Sequence, residues 1–285
     1  MSVFATKSTT LIAKAVAGVA LFAAVGAAQA DVITLPNSVL ASSTGKYTPN
    51  GYYTNNLGAN IVTTGGGHSS NVGQADGRND DGYMALNLGF NVTFFGQTYN
   101  SLYVNNNGSV SFNNGVAAYD PTGVTGVNAP IISPFFGDVD TTGTNSGVVR
   151  YNLTADQLVV TWDKVGYYDG HDDQANNFQL VLRSDAYVPV VGEGLIGFFY
   201  GDMGWEATDT NTKVAVGFGN GSGDGQVIAG SLVPGVKDIV KNKYVWFDAK
   251  LDTVPPVDVP EPSALALTMI GLLGAGAAAR RKRKN

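Results

Sequence analysis

From Tyr83 onward apolar and polar residues alternate: Phe90, Val92 and Phe94 are interleaved with Gly89, Asn91 and Thr93. A period of two is the mark of a half-buried β-strand, whose successive side chains point to opposite faces. Gly96-Gln97 turns the chain. Leu102 and Val104 then lead into Asn105-Asn106-Asn107-Gly108, and Val110 and Phe112 lead out. Asn-Gly between alternating runs predicts a hairpin, because both residues tolerate positive φ. Further strands are predicted at IISPFFGDVD (131–140), GVVRYN (147–152), QLVVTW (157–162), NNFQLVLRS (176–184), GLIGFFYG (194–201), TKVAVGFGNG (212–221) and KYVWFDAKL (243–251). In FQLVL the residues Phe178, Leu180 and Leu182 face one way, and Gln179 and Val181 the other. No run outside the two chain ends has a 3.6-residue period. Short strands separated by turn residues predict an all-β, antiparallel β-sandwich. Residues 31–79 read as a polar, partly ordered lead-in with one or two edge strands, docked on the core through Tyr47, Tyr52 and Tyr53.

The chain ends carry a different pattern. Lys7 and Lys14 precede an apolar run (15–28) that stops at Ala28-Gln29-Ala30, the layout of a signal-peptide helix over residues 1–30 with small-residue cleavage at Ala28 and Ala30. At the other end, Ala264 to Ala279 is apolar. At about 1.5 Å per residue it spans about 24 Å of a hydrocarbon core about 30 Å thick, a short transmembrane helix weakened by Gly271, Gly274 and Gly276. Arg280, Arg281, Lys282, Arg283 and Lys284 form a basic stop that holds the tail on the cytoplasmic side. Together with Val259-Pro260-Glu261-Pro262, this end resembles the PEP-CTERM sorting domain of Gram-negative bacteria. That resemblance implies processing by an exosortase, a membrane peptidase, after transient insertion in the inner membrane, and release to the cell surface or extracellular matrix. An ordinary single-pass anchor is the alternative reading. The predicted organisation is signal peptide 1–30, lead-in 31–79, β domain 80–250, linker 251–258 and sorting domain 259–285.

Charge and composition narrow the chemistry. Setting aside Lys7, Lys14 and the basic stop leaves ten basic residues against 23 acidic ones, which argues against nucleic acid as a partner. With no cysteine, the exported domain relies on its core and sheet hydrogen bonds, and thiolate metal sites are excluded. His68 and His171 lie in different loops, which argues against a multi-histidine metal centre. Of the carboxylates 20 are Asp, a turn and cap former, and 37 Gly accompany them, as expected of many tight turns.

DDGYMALNLGFNVTFFGQTYNSLYVNNNGSVSF (80–112), ISPFFGDVDT (132–141), VVTWDKVGYY, NNFQLVL, YGDMGWE and VAVGFGNGSGDG, in that order, resemble the nidogen-like extracellular (NIDO) domain. The resemblance implies an extracellular adhesion or matrix domain and no enzymatic activity. It leaves the ligand open, and the chain departs from the vertebrate members in lacking disulfide-rich neighbour modules.

Asp138-Val139-Asp140 before a Gly-bearing turn resembles the start of a calcium loop, but Val149 stands where an EF-hand needs its bidentate Glu. Asp138 and Asp140 are therefore candidate calcium ligands outside an EF-hand, helped by Asn145 or by Asp169, Asp172 and Asp173; turn capping is the competing role. No cofactor is required by any motif. Tyr167 and Tyr168, ahead of the acidic DGHDD loop, are candidate glycan contacts, since sugar rings pack on aromatic faces while Asp and Asn engage hydroxyls. Trp162 follows apolar LVV and reads as core. Asp202 and Glu206 have the residue types of a glycosidase pair. The chain thus reads as an exported, non-enzymatic adhesion protein binding exopolysaccharide or matrix proteins. A glycan-active enzyme and a calcium-dependent lectin are the rival readings.

Overall fold

The alternating segments pair into two sheets in the computed structural model, which describes residues 31–63, 75–206, 208 and 213–248. In chain order the strands are β1 (Val32–Leu35), β2 (Ala41–Ser42), β3 (Asn60–Ile61), β4 (Tyr83–Phe94), β5 (Gln97–Asn105), β6 (Ser109–Ser111), β7 (Ile131–Phe136), β8 (Val139–Asp140), β9 (Val149–Leu153), β10 (Gln157–Tyr167), β11 (His171–Arg183), β12 (Ile196–Met203), β13 (Ala215–Gly219), β14 (Gly225–Ile228) and β15 (Lys243–Phe247). One sheet runs β1-β14-β13-β7-β6-β5-β4 and the other β2-β15-β12-β11-β10-β9-β3, with β8 also pairing β10. Both helices expected at the chain ends lie outside the described residues. Among those described, no helix is long and apolar enough to cross a membrane.

Two features depart from the sequence expectation. The β1–β14 pair is parallel, which is feasible because the chain between them is far longer than the dozen residues a parallel crossover needs. A short helix α1 (Val236–Val240) precedes β15; at five residues it is too short to leave a 3.6-residue pattern. The lead-in supplies β1, β2 and β3, all at sheet edges.

The sheets pack face to face through Phe94, Val104, Phe112, Phe135 and Phe218 on one side and Val160, Trp162, Phe178, Leu180 and Phe198 on the other, all fully buried. Phe135 meets Phe178 with ring centroids 5.5 Å apart, and Phe218 meets Phe247 at 5.0 Å, within the range of favourable aromatic pairs. Polar ties cross the same gap: the Tyr200 hydroxyl donates to the Pro134 carbonyl over 2.8 Å.

Strand β11 is buried on both faces from Phe178 to Arg183. Its second face is covered by Tyr47 and Tyr53 of the lead-in, which join Val159, Val181, Phe199, Tyr244 and Trp246 in a separate cluster. That cover explains why Gln179, on the face opposite Phe178 and Leu180, is fully buried. Its amide donates to Thr54 O and Thr161 Oγ1.

Candidate functional site

The Asn-rich hairpin between β5 and β6 organises one end of the sandwich. Asn105 pairs with Ser109, so the loop holds three residues, and only Gly108 takes positive φ, at 80°. A Cβ there would lie 1.8 Å from the Phe135 carbonyl oxygen, so glycine is required by conformation and by close approach. All three asparagines are buried. Asn105 Nδ2 donates to Ser109 and Ser111 hydroxyls and its Oδ1 accepts from Val116 N. Asn106 Nδ2 reaches the carbonyls of Asn79 and Val139. Asn107 Nδ2 donates to Asp81 Oδ1 at 2.8 Å and to Ala118 O at 3.1 Å.

Asp81 arrives from the turn before β4. Asn79 Oδ1 accepts from Gly82 N, Asp80 forms an isolated bridge to Asp140, and Asp81 sits at φ 64°, a left-handed conformation that Asp tolerates better than most residues. Asp138 follows β7 directly after Gly137, whose N–H is held by Asn107 O. Asp80, Asp81 and Asp138 thereby offer carboxylate oxygens that all lie within 4.8 Å of one another. The Asp80 carboxyl is pushed up to about 8, first by burial and then by the charges of Asp140, Asp81, Asp138 and Asp169. Asp80 Oδ1 and Asn107 Oδ1 are buried acceptors with no hydrogen-bond partner, an arrangement costing about 1–3 kcal/mol each when nothing compensates it. Beside them opens a cavity of about 250 Å³ lined by Asp81, Tyr119, Asp138 and Tyr168.

The structure separates the residues that the sequence reading grouped. Asp138 belongs to the carboxylate group; Asp140 does not. Asp140 Oδ1 accepts from Thr142 N and Oγ1, and Oδ2 from Gly170 N at 2.8 Å, which is turn capping. Asp172 Oδ2 accepts from both nitrogens of Asn145, which holds its carboxyl below the usual range, and Asp173 accepts from the Tyr167 hydroxyl. Tyr167 stacks on His171 and leans on Trp205. Its neighbour Tyr168 is 36 % exposed and lines the cavity together with Tyr119, at 47 %. Trp162 is core. Asp202 pairs with Lys241 at 3.2 Å, while Glu206 accepts the N–H groups of Gly235 and Lys237 at the start of α1. The sites at Ala28 and Ala30, at Val259 to Pro262 and at Arg280 to Lys284 lie outside the described residues.

Asp80, Asp81, Asn107 and Tyr119 were not singled out by sequence reasoning. Asp-Asp before Gly82 and the Asn run before Gly108 are indistinguishable in sequence from ordinary turn residues.

Comparison with known proteins bears on this arrangement. The family model described as NIDO related matches residues 40–243, and that of the PEP-CTERM protein-sorting motif matches residues 258–284. Among curated proteins, the chain is 27% identical over 137 residues to nidogen of Drosophila melanogaster and 33% identical over 134 residues to alpha-tectorin of Mus musculus. Each match covers 37% of this chain, and 10% and 6% of those relatives. The chain therefore spans a small part of their length. No solved structure matches.

Proposed function

Because the chain belongs to the NIDO-related family and carries a PEP-CTERM protein-sorting motif, the marks of an exported surface protein, we propose that it acts as a non-enzymatic adhesion protein of an extracellular polysaccharide or biofilm matrix. In this reading the β domain reaches the surface of a Gram-negative cell after passing through the inner membrane, where an exosortase reads Val259-Pro260-Glu261-Pro262 and the basic stop. The observation that carries the adhesive role is the cavity between Tyr119 and Tyr168. Two exposed rings offer apolar faces to a sugar, and the carboxylates of Asp81 and Asp138 accept from its hydroxyls. One such contact is weak, and many copies in a matrix supply avidity.

The test is co-sedimentation of the exported protein with the polysaccharide of its own matrix. Binding that weakens in a Tyr119→Ala plus Tyr168→Ala variant of unchanged melting temperature supports the reading. Equal binding by that variant, or turnover of the polysaccharide, overturns it.

A further inference from the structure

We propose that Asp80, Asp81 and Asp138, with the side-chain oxygen of Asn107, bind one calcium ion at the hairpin end of the sandwich. The inference deepens the adhesion reading by placing a cation on the floor of the same cavity, though occupancy of the site does not depend on any glycan.

Spacing is the first ground. Calcium takes oxygen ligands at about 2.3–2.6 Å, so oxygens on opposite sides of the ion stand about 5 Å apart. The three carboxylates offer oxygens within 4.8 Å of one another, the span of one coordination sphere.

The second ground is independent of the acidic cluster. Asn107 is 1 % exposed, and both hydrogens of its amide nitrogen are committed, to Asp81 Oδ1 and Ala118 O. Flipping the amide would set its oxygen against two other acceptors, so the orientation is fixed by chemistry. The oxygen left over has no donor, and it belongs to the same amide whose nitrogen donates to Asp81 Oδ1. Asp80 Oδ1 is a second buried acceptor without a donor. Buried acceptors are almost always satisfied, and an ion is one of the few partners that serves several at once. Crowding of Asp80 by four carboxylates is what a bound cation would relieve.

The donor set selects the metal. Three carboxylates and an amide oxygen form an all-oxygen set, which suits hard cations. The ligands come from three separate segments in irregular array, which calcium tolerates and magnesium, needing near-ideal octahedra, does not. Asp81 and Asp138 also line the cavity, so the open side of the ion faces it, where water or a sugar hydroxyl completes the shell. Affinities of extracellular calcium modules, about 10⁻⁴–10⁻³ M, set the expected range.

The experiment is titration of the purified full chain with calcium chloride, followed by calorimetry and by terbium luminescence excited through the tyrosines flanking the cavity. Calcium is expected to raise the melting temperature where magnesium does not, and to displace terbium. Asp81→Asn and Asp138→Asn, close isosteres, should each raise the dissociation constant about tenfold or more. Asp140→Asn should lower the melting temperature equally with and without calcium and leave the calcium affinity intact. Absence of calcium binding by the wild-type chain, which needs no variant to fold, overturns the proposal, as does unchanged affinity in the Asp81→Asn plus Asp138→Asn chain. Calcium binding together with chelator-insensitive polysaccharide binding, or with none, supports the cation site while separating it from the adhesion reading.

Discussion

Trp162 donates its indole Nε1–H to the backbone carbonyl of Asn106 over 2.9 Å, so the central strand β10 of one sheet holds the hairpin loop of the other. The indole also stacks on Phe178 at 4.9 Å. Trp162→Phe would leave the Asn106 carbonyl with the Gly108 N–H alone, at 2.8 Å, and open a void beside it. A loss of about 2 kcal/mol is expected in urea denaturation. Because Asn107 is the next residue of that loop, the variant should also bind calcium more weakly than its loss of stability alone explains.

Two glycines separate steric need from conformational need. Gly108 and Gly96 both take positive φ, yet a Cβ at Gly96 meets nothing within 4 Å, whereas at Gly108 it meets Phe135 O. Gly96→Ala should cost about 1–2 kcal/mol, the left-handed penalty alone. Gly108→Ala should cost more than about 4 kcal/mol or prevent folding, read by thermal melting of both variants.

The contrast between what was legible and what was not follows from the range of the forces involved. Phe90, Val92 and Phe94 declare β4 because strand period is a local property, and Asn106-Asn107-Gly108 declares a turn for the same reason. Asp138 stands out because Asp-Val-Asp before a Gly-bearing turn is a local spacing. Its companions Asp80, Asp81 and Asn107 reach it only through pairing of β4, β5, β6 and β7. The unpaired oxygen of Asn107 is a tertiary fact with no local trace. Asp140, two residues beyond Asp138, is capped by donors at Thr142 and Gly170, and only the second of these lies beyond its own turn.

Arg183 is fully buried, ion-paired to Glu193, bonded to Gln157, Gly194 O and Tyr53, and stacked at 4.3 Å on both Tyr187 and Trp246. Removing either charge strands the other in a desolvated place. Arg183→Ala should cost about 3–5 kcal/mol. Glu193→Ala, with three acceptors and two rings still holding the guanidinium, should cost less. A double-mutant cycle measured by urea denaturation should show the pair losing less than the sum of the singles.

If the proposed sorting operates, protein recovered from the extracellular matrix should begin at Asp31 and end near Pro260 to Pro262, as read by intact mass and C-terminal peptide mapping. A chain recovered only from the inner membrane and still carrying Arg280 to Lys284 would favour the single-pass anchor and deny the adhesion reading its route outward.

Adjacent tyrosines give the sharpest test of the cavity, because they differ in surroundings and share composition. Tyr167 is held by His171, Trp205 and Asp173, so truncation removes packing as well as a hydrogen bond. Tyr168 spends its ring on the cavity wall. Tyr167→Ala should therefore lower stability by about 2 kcal/mol. Tyr168→Ala should change it by no more than about 0.5 kcal/mol, as surface truncations do, yet weaken polysaccharide binding by about fivefold per site, the value of one aromatic contact of about 1 kcal/mol. Binding should recover in Tyr168→Phe, which keeps the ring and loses only the hydroxyl. If Tyr168→Phe binds as poorly as Tyr168→Ala, the contact is a hydrogen bond and the stacking mechanism is wrong, even where adhesion itself survives.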